Sequence, residues 1–161
     1  MTKTLKHGSS VGTDSKERLR LWLRVLKTNR LIEAELRERL RLKFDTTLPR
    51  FDVMSALYRH RSGMKMSELS RMLMVSNGNV TGIVDRLFNN GLVLREPVPG
   101  DRRAHHIRLT QKGIDEFLLQ AEAHERWVSE LLGGLNASAS AEAAALLSDA
   151  VTLNTTGVSD D

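Results

Sequence analysis

Residues 67–109 read SELSRMLMVSNGNVTGIVDRLFNNGLVLREPVPGDRRAHHIRL. Ser67 can cap a short helix whose Leu69, Met72 and Leu73 face inward. Val75-Ser76-Asn77-Gly78 then supplies a tight turn. Ser76 is placed to cap a second helix over about 77–90, with Val80, Ile83, Val84 and Leu87 at helical spacing on its inner face. Gly78, Asn79, Thr81, Gly82, Asp85, Arg86 and Asn89 fall on the outer face. Asn90-Gly91 ends this helix, because glycine adopts a left-handed C-terminal turn without steric penalty. Leu92–Glu96 reads as a strand, residues 97–102 as a ribbon tip, and Arg103–Leu109 as the return strand. Helix, turn, helix and two-stranded ribbon in that order describe a winged helix-turn-helix, a shape that lays one helix in a DNA major groove.

Helices are expected on both sides of this stretch. The first runs from about Ser15 to Lys43, with Asp14 or Ser15 as its cap and no Gly or Pro inside it. Leu19, Trp22, Leu23 and Leu26 form a stripe, while Leu21, Val25 and Leu31 add apolar groups on other sides. Such a helix needs burial on more than one side, and a partner subunit is one way to supply it. A second helix, about 49–60, carries Phe51, Met54, Leu57 and Tyr58 inward. After the ribbon, Thr110 caps a long helix over about 111–132 with the stripe Ile114, Phe117, Leu118, Ala121, Val128, Leu131 and Leu132. Gly133-Gly134 breaks it, and a last helix spans about 139–153. The fold class is therefore mainly α with a small β-wing.

Composition narrows the function. The chain has 161 residues, 40% of them apolar, which suits a globular domain rather than a disordered chain. It has no cysteine, so disulfides, thiolate zinc sites and cysteine redox sensing are excluded. No apolar run reaches the roughly 18 residues of a membrane span, and the first fifteen residues lack a signal-peptide core, so the cytoplasm is the expected location. Charge is asymmetric: residues 1–112 carry 23 Lys/Arg against 11 Asp/Glu, and residues 113–161 carry 1 against 9. A basic front on an acidic back suits a protein that shows one face to a polyanion.

The second helix of the motif has the chemistry of a reading helix. Gly78 and Gly82 allow close approach, Asn77 and Asn79 can pair bidentately with adenine, and Thr81 can meet a thymine methyl or a phosphate. Ser76 with the helix N-terminus suits a phosphate, and Arg86 can reach a guanine or the backbone. At the ribbon tip, Arg102 and Arg103 suit the minor groove, with Asp101 bracing a guanidinium. The plain alternatives are turn chemistry at Asn77-Gly78-Asn79 and surface ion pairs at the tip.

These residues also carry a resemblance. Asp101-Arg102-Arg103-Ala104 followed by Ile107-Arg108-Leu109-Thr110-Gln111-Lys112-Gly113 resembles the wing signature of the MarR family of bacterial transcription regulators. Leu69-Ser70, Asn79-Val80-Thr81 and Val84-Asp85-Arg86-Leu87 resemble its helix-turn-helix. The resemblance spans about residues 18–153. It implies a homodimer whose first and last helices interlock, binding double-stranded DNA and releasing it when a small aromatic or phenolic effector binds. The groove-reading positions fall on Asn77, Asn79, Thr81, Gly82 and Arg86, and the wing contact on Arg103 with Asp101 as brace. Gly82 departs from relatives that carry a larger side chain there. The expected organisation is a disordered arm (1–14), a dimerisation helix (15–48), a DNA-binding lobe (49–110), C-terminal dimerisation helices (111–153) and a frayed tail (154–161).

For the effector, the resemblance implies a pocket between the dimer helices and the DNA-binding lobe. Trp22, Arg24, Arg30, Phe51 and His60 are its candidates, since a cation beside aromatic walls suits an aromatic carboxylate or its CoA thioester. The run Thr47-Leu48-Pro49-Arg50-Phe51-Asp52 is similar to a branch that regulates aromatic-acid catabolism. Core packing is the competing reading of Trp22 and Phe51. No metal or cofactor is expected: adjacent His105 and His106 point to opposite faces of a strand. No nucleophile triad, carboxylate pair or phosphate loop suggests an enzyme. The alternative function is a non-specific, architectural DNA-binding module without a ligand switch.

Overall fold

The computed structural model describes residues 10–98 and 100–155, with side chains at 12–98, 100 and 105–150. Residues 1–9 and 156–161, assigned above to an arm and a tail, lie outside the described residues. The chain divides between His124 and Glu125 into two compact units.

The first unit opens with helix α1, Ser10–Phe44. It starts five residues before the expected cap at Ser15, so neither Asp14 nor Ser15 serves as that cap. Gly12 lies inside the helix, where a glycine costs about 1 kcal/mol, too little to stop a helix of this length. Glu33–Arg37, Glu35–Arg39 and Glu38–Arg41 pairs line its exposed sides. Leu36 and Leu40 near its C-terminal end are buried. Leu19, Leu21, Trp22, Leu23 and Leu31 remain more than half exposed.

Helix α2, Leu48–Arg59, begins at the N-cap Thr47, whose hydroxyl accepts from the Arg50 amide at 3.4 Å. Phe51, Met54 and Leu57 are buried as expected, and Val53 and Ala56 join them. The helix is therefore enclosed on more than one side.

Strand β1, Met64–Lys65, was not expected. It pairs antiparallel with β3, Asp101–Leu109, placing Met64 beside Ile107 and Lys65 beside His106. With β2, Val93–Val98, on the other edge, the sheet has three strands in the order β1-β3-β2 rather than two. A two-residue strand is too short to show a period of two.

Helix α3, Met66–Leu73, corrects a second expectation. Lys65, not Ser67, is the residue before its first turn, and the Lys65 amide donates to the Glu68 carboxylate at 2.8 Å. Leu69 is fully buried, but Met72 is 44% exposed and Ser70 takes an inward place. The Ser70 hydroxyl donates to the Val75 carbonyl at 2.6 Å, which fastens the turn into α4, Asn77–Asn89. Met74 ends α3 at φ +53°, a left-handed conformation that the 70–75 bonds hold in place.

Helix α5, Gln111–Leu131, buries Phe117, Gln120 and Ala123, while Leu118 of the expected stripe is 46% exposed. Gln120 is fully buried although polar, so it lies outside any apolar stripe. Phe51 stacks on His124 with centroids 4.6 Å apart and tilts against Phe117 at 5.5 Å. Tyr58 closes the cluster on Phe117 at 4.9 Å.

Burial pushes the His124 imidazolium down from its ordinary 6.5, so the folded state favours the neutral ring. The unfolded chain then binds more protons, and stability falls as pH drops below 6.5 toward the folded value. His124→Phe keeps the stack and should give a shallower loss of melting temperature between pH 7 and pH 5. Equal acid limbs in the two proteins would assign the proton uptake elsewhere.

The second unit contains the end of α5, a turn at Leu132–Leu135 and α6, Ala137–Thr155. Asn136 caps α6 by accepting from the Ala139 amide at 2.9 Å, which starts the helix two residues earlier than expected. Leu135, Leu146 and Leu147 are exposed on this unit.

Candidate nucleic-acid interface

Local sequence makes α4 a helix with one committed face. Ser76 is extended at φ −65°, ψ 148°, and its hydroxyl accepts from the Asn79 amide at 3.4 Å. Val80, Val84 and Leu87 are fully buried, and Ile83 is half-buried. Gly91 ends the helix at φ +71°, where an L side chain would be strained. The outer face is as expected: Asn77, Gly78, Asn79, Thr81, Gly82, Asp85, Arg86 and Asn89 are all exposed. A Cβ added at Gly78 or Gly82 would meet nothing within 4 Å. Asn77, Gly78, Thr81 and Gly82 on this face are exposed and carry amide, hydroxyl and backbone groups of the kind that can meet base edges.

The side chains on it differ in what they have left to offer. The Thr81 hydroxyl donates to the Asn77 carbonyl at 2.8 Å, so its one proton is used and the oxygen is left with acceptor capacity. Asp85 is not free, because it forms an ion pair with Arg95 of β2. Arg86 has no acid partner among the described residues. Asn79, Gly82 and Arg86 lie toward the α2 flank, where they also line a cavity.

The ribbon runs out from the end of α4. Its register pairs Val93 with Leu109 and continues to Pro97 with His105, then shifts so that Val98 faces Asp101. This bulge and Gly100 at φ +84° turn the tip. Asp101, Arg102 and Arg103 belong to β3 by backbone, and their side chains lie outside the described residues. Nearer the base, Arg108 donates to both oxygens of Glu96 at 3.0 and 3.1 Å and to the Arg61 carbonyl at 3.2 Å.

The first turn of α5 locks the turn between α4 and β2. The Thr110 amide donates to the Leu92 carbonyl at 3.0 Å, and its hydroxyl to the Gly91 carbonyl at 2.7 Å. Lys112 donates to the Asn90 carbonyl at 2.9 Å. Gly113 lies so close that a Cβ there would stand 2.0 Å from the Leu92 carbonyl oxygen. The sequence placed Gly113 in a motif without giving it a task. Close backbone approach is that task.

A cavity of about 620 Å³ lies between α1, α2 and α4 within the first unit. Glu33 and Arg37 of α1, Asp52 of α2 and Arg86 of α4 supply its charge. Leu73, Val75, Pro49 and Ile83 supply apolar wall. Burial raises the Asp52 carboxyl above its ordinary 3.8, and the nearby Glu33 adds to this while Arg37 and Arg59 oppose it. None of Trp22, Arg24, Arg30, Phe51 or His60 lines this cavity. Trp22 is 57% exposed on α1, Arg24 lines a separate groove with Arg20, Leu23 and Lys27, and Arg30 is exposed on the same helix. Phe51 is core, and the His60 ring lies 3.0 Å from the Ala56 carbonyl at the end of α2. The cavity draws on residues scattered from position 33 to position 86, which no local pattern connects. Among the described residues no group of three His, Asp or Glu side chains is placed to hold a metal ion.

The fold has counterparts among known proteins. A model of the MarR family matches residues 46–105. A MarR family transcriptional regulator from Silicibacter pomeroyi is 32% identical over 86% of this chain and 96% of its own, with a TM-score of 0.72. The chain belongs to the MarR family. A mutant of Escherichia coli MarR, solved in complex with operator DNA, is 27% identical over 83% of this chain and 95% of its own, with a TM-score of 0.72. YkoM, an HTH-type transcriptional regulator of Bacillus subtilis, is 38% identical over 42% of this chain and 43% of its own length. The chain spans about half the length of the curated relatives it matches. The MarR family match runs from α2 into β3 and takes in the exposed face of α4.

Proposed function

We propose that this MarR-family chain is a sequence-specific DNA-binding transcriptional regulator, acting as a homodimer on a pseudo-palindromic operator. The observation that carries the reading is the outer face of α4. Asn77, Gly78, Thr81 and Gly82 stand exposed on a helix whose other face is fully committed to the core. An unpacked strip of amides, hydroxyls and bare backbone on a rigid helix suits base edges in a major groove. Dimerisation is supported by the leucines and Trp22 left exposed on α1 and by Leu146 and Leu147 exposed on α6. These side chains are about half exposed, so burying the remainder in a partner would contribute about 1 kcal/mol each. Arg103 at the tip suits a minor-groove contact, with Asp101 as its brace and Arg102 beside it.

The finer reading is a repressor released by a small aromatic acid or aromatic acyl-CoA. The 620 Å³ cavity is of a size that takes a small ligand. Arg86 suits the carboxylate or thioester carbonyl, and the Leu73, Val75 and Ile83 wall suits a ring. An occupant there would press on Gly78, Asn79 and Gly82, the flank of the reading helix itself.

Selection of bound duplex from a random pool tests the whole reading, repeated with aromatic acids and with their acyl-CoA esters present. A palindrome with half-site centres about 10 bp apart is the expected product. A pool that enriches no palindrome would favour an architectural module instead. Asn77→Ala should lose about 1–3 kcal/mol of discrimination at one base pair in each half-site. An equal loss on specific and random duplex would remove Asn77 from base reading.

A further inference from the structure

We propose that Arg95 is a positioning residue: it holds the ribbon at a fixed angle to α4, so that reading helix and ribbon tip meet one stretch of duplex together. The inference rests on the DNA-binding reading above. Arg95 lies on β2, two residues before the bulge that begins the tip. Its guanidinium forms an ion pair with Asp85 and lies over the Phe88 ring, 5.1 Å from the centroid. Asp85 and Phe88 are three residues apart, hence neighbours on one flank of α4. The arginine thus grips the helix at two points. The carboxylate fixes the direction of the fork, and the ring face fixes its plane.

Exposure argues that this grip does something other than hold the fold. The side chains of Arg95 and Asp85 are 36% and 50% exposed, and Phe88 is 46% exposed. An ion pair so open to water contributes little to folding. What it does determine is where one element stands against another. The opposite face of the ribbon is braced separately, by Arg108 through Glu96 and the Arg61 carbonyl. Gly63, at φ +93°, makes room for that brace, since a Cβ there would stand 2.7 Å from the Arg108 Cγ. The ribbon is therefore held on both faces, and Arg95 is the side chain that ties it to the reading helix. Arg95 also answers the charge of Asp85, an exposed carboxylate on the face offered to phosphates, where it would otherwise repel them.

The sign of two substitutions decides the matter. Arg95→Ala and Asp85→Ala remove opposite charges. Side chains acting on DNA through charge alone would give opposite results, weaker binding for the first and tighter for the second. Positioning predicts that both weaken binding to the selected operator by about tenfold, and that the double variant is no weaker than the worse single one. Affinity for random duplex should change less than about threefold, and the salt slope should stay at the wild-type value because no phosphate contact is lost. Exchanging the charges, Asp85→Arg with Arg95→Asp, restores the ion pair but not the contact with the Phe88 ring, and should recover part of the loss. Asp85→Asn, which keeps the shape, repeats the measurement with the least disturbance to folding. Tighter operator binding by Asp85→Ala, or additive losses in the double variant, overturns the proposal. Failure of the wild-type protein to select any operator is a different result, and it removes the DNA-binding reading itself.

Discussion

Gly113→Ala is expected to lower stability by about 3 kcal/mol, the upper end for an overpacked contact. For a chain of this length that is about 6–12 °C in melting temperature. The cause is local and severe. The added methyl would stand 2.0 Å from the Leu92 carbonyl oxygen, a backbone atom that cannot rotate away. The first turn of α5 must then lift off the 90–92 turn, and the bonds from Thr110 to Leu92 and Gly91 stretch with it. Because that turn connects α4 to β2, operator affinity should fall together with stability. Gly82→Ala is the matched control: it meets nothing within 4 Å and gains up to about 1 kcal/mol of helix propensity. Thermal unfolding followed by circular dichroism checks both. A Gly113→Ala melt within about 2 °C of wild type would mean that α5 slides along its contact freely, at odds with the size of the clash.

The second large effect is of salt on operator binding. A dimer that neutralises about eight phosphates should show log K falling with log salt at a slope of about −7. Between 50 and 200 mM salt this is a loss of about ten-thousandfold. The basis is the charge asymmetry, with 23 of the 24 Lys/Arg residues in the first 112 positions. Fluorescence anisotropy with a labelled duplex across a salt series gives the slope directly. A slope near zero would mean that the basic front does not face a polyanion, and the DNA-binding reading would fall with it.

The two effects separate what the chain says locally from what it says only when folded. The sequence by itself determined α4 and its two faces. Ser76, the spacing of Val80, Val84 and Leu87, and the Asn90-Gly91 stop are all signals between residues within a few positions of one another. For the same reason the ribbon, α2 and the mainly helical class were legible. The N-terminal ends of α1 and α3 were less so, because capping residues such as Ser15 and Ser67 are also ordinary helix residues.

Only the tertiary structure decided the rest. Strand β1 exists because Met64 and Lys65 find β3 some forty residues later, and two residues have no period to read. Ser70 and Gln120 are buried although polar, a choice made by neighbours rather than by spacing. The grip of Arg95 on Asp85 and the cavity lined by Glu33, Asp52 and Arg86 each join residues on separate elements. Gly113 is required because α5 passes against the Leu92 backbone. Hydrophobic periodicity records which side of an element faces inward, but not which element it will meet there. Helix α4 was therefore visible in the chain, while the parts that hold and flank it took shape only through contacts between distant segments.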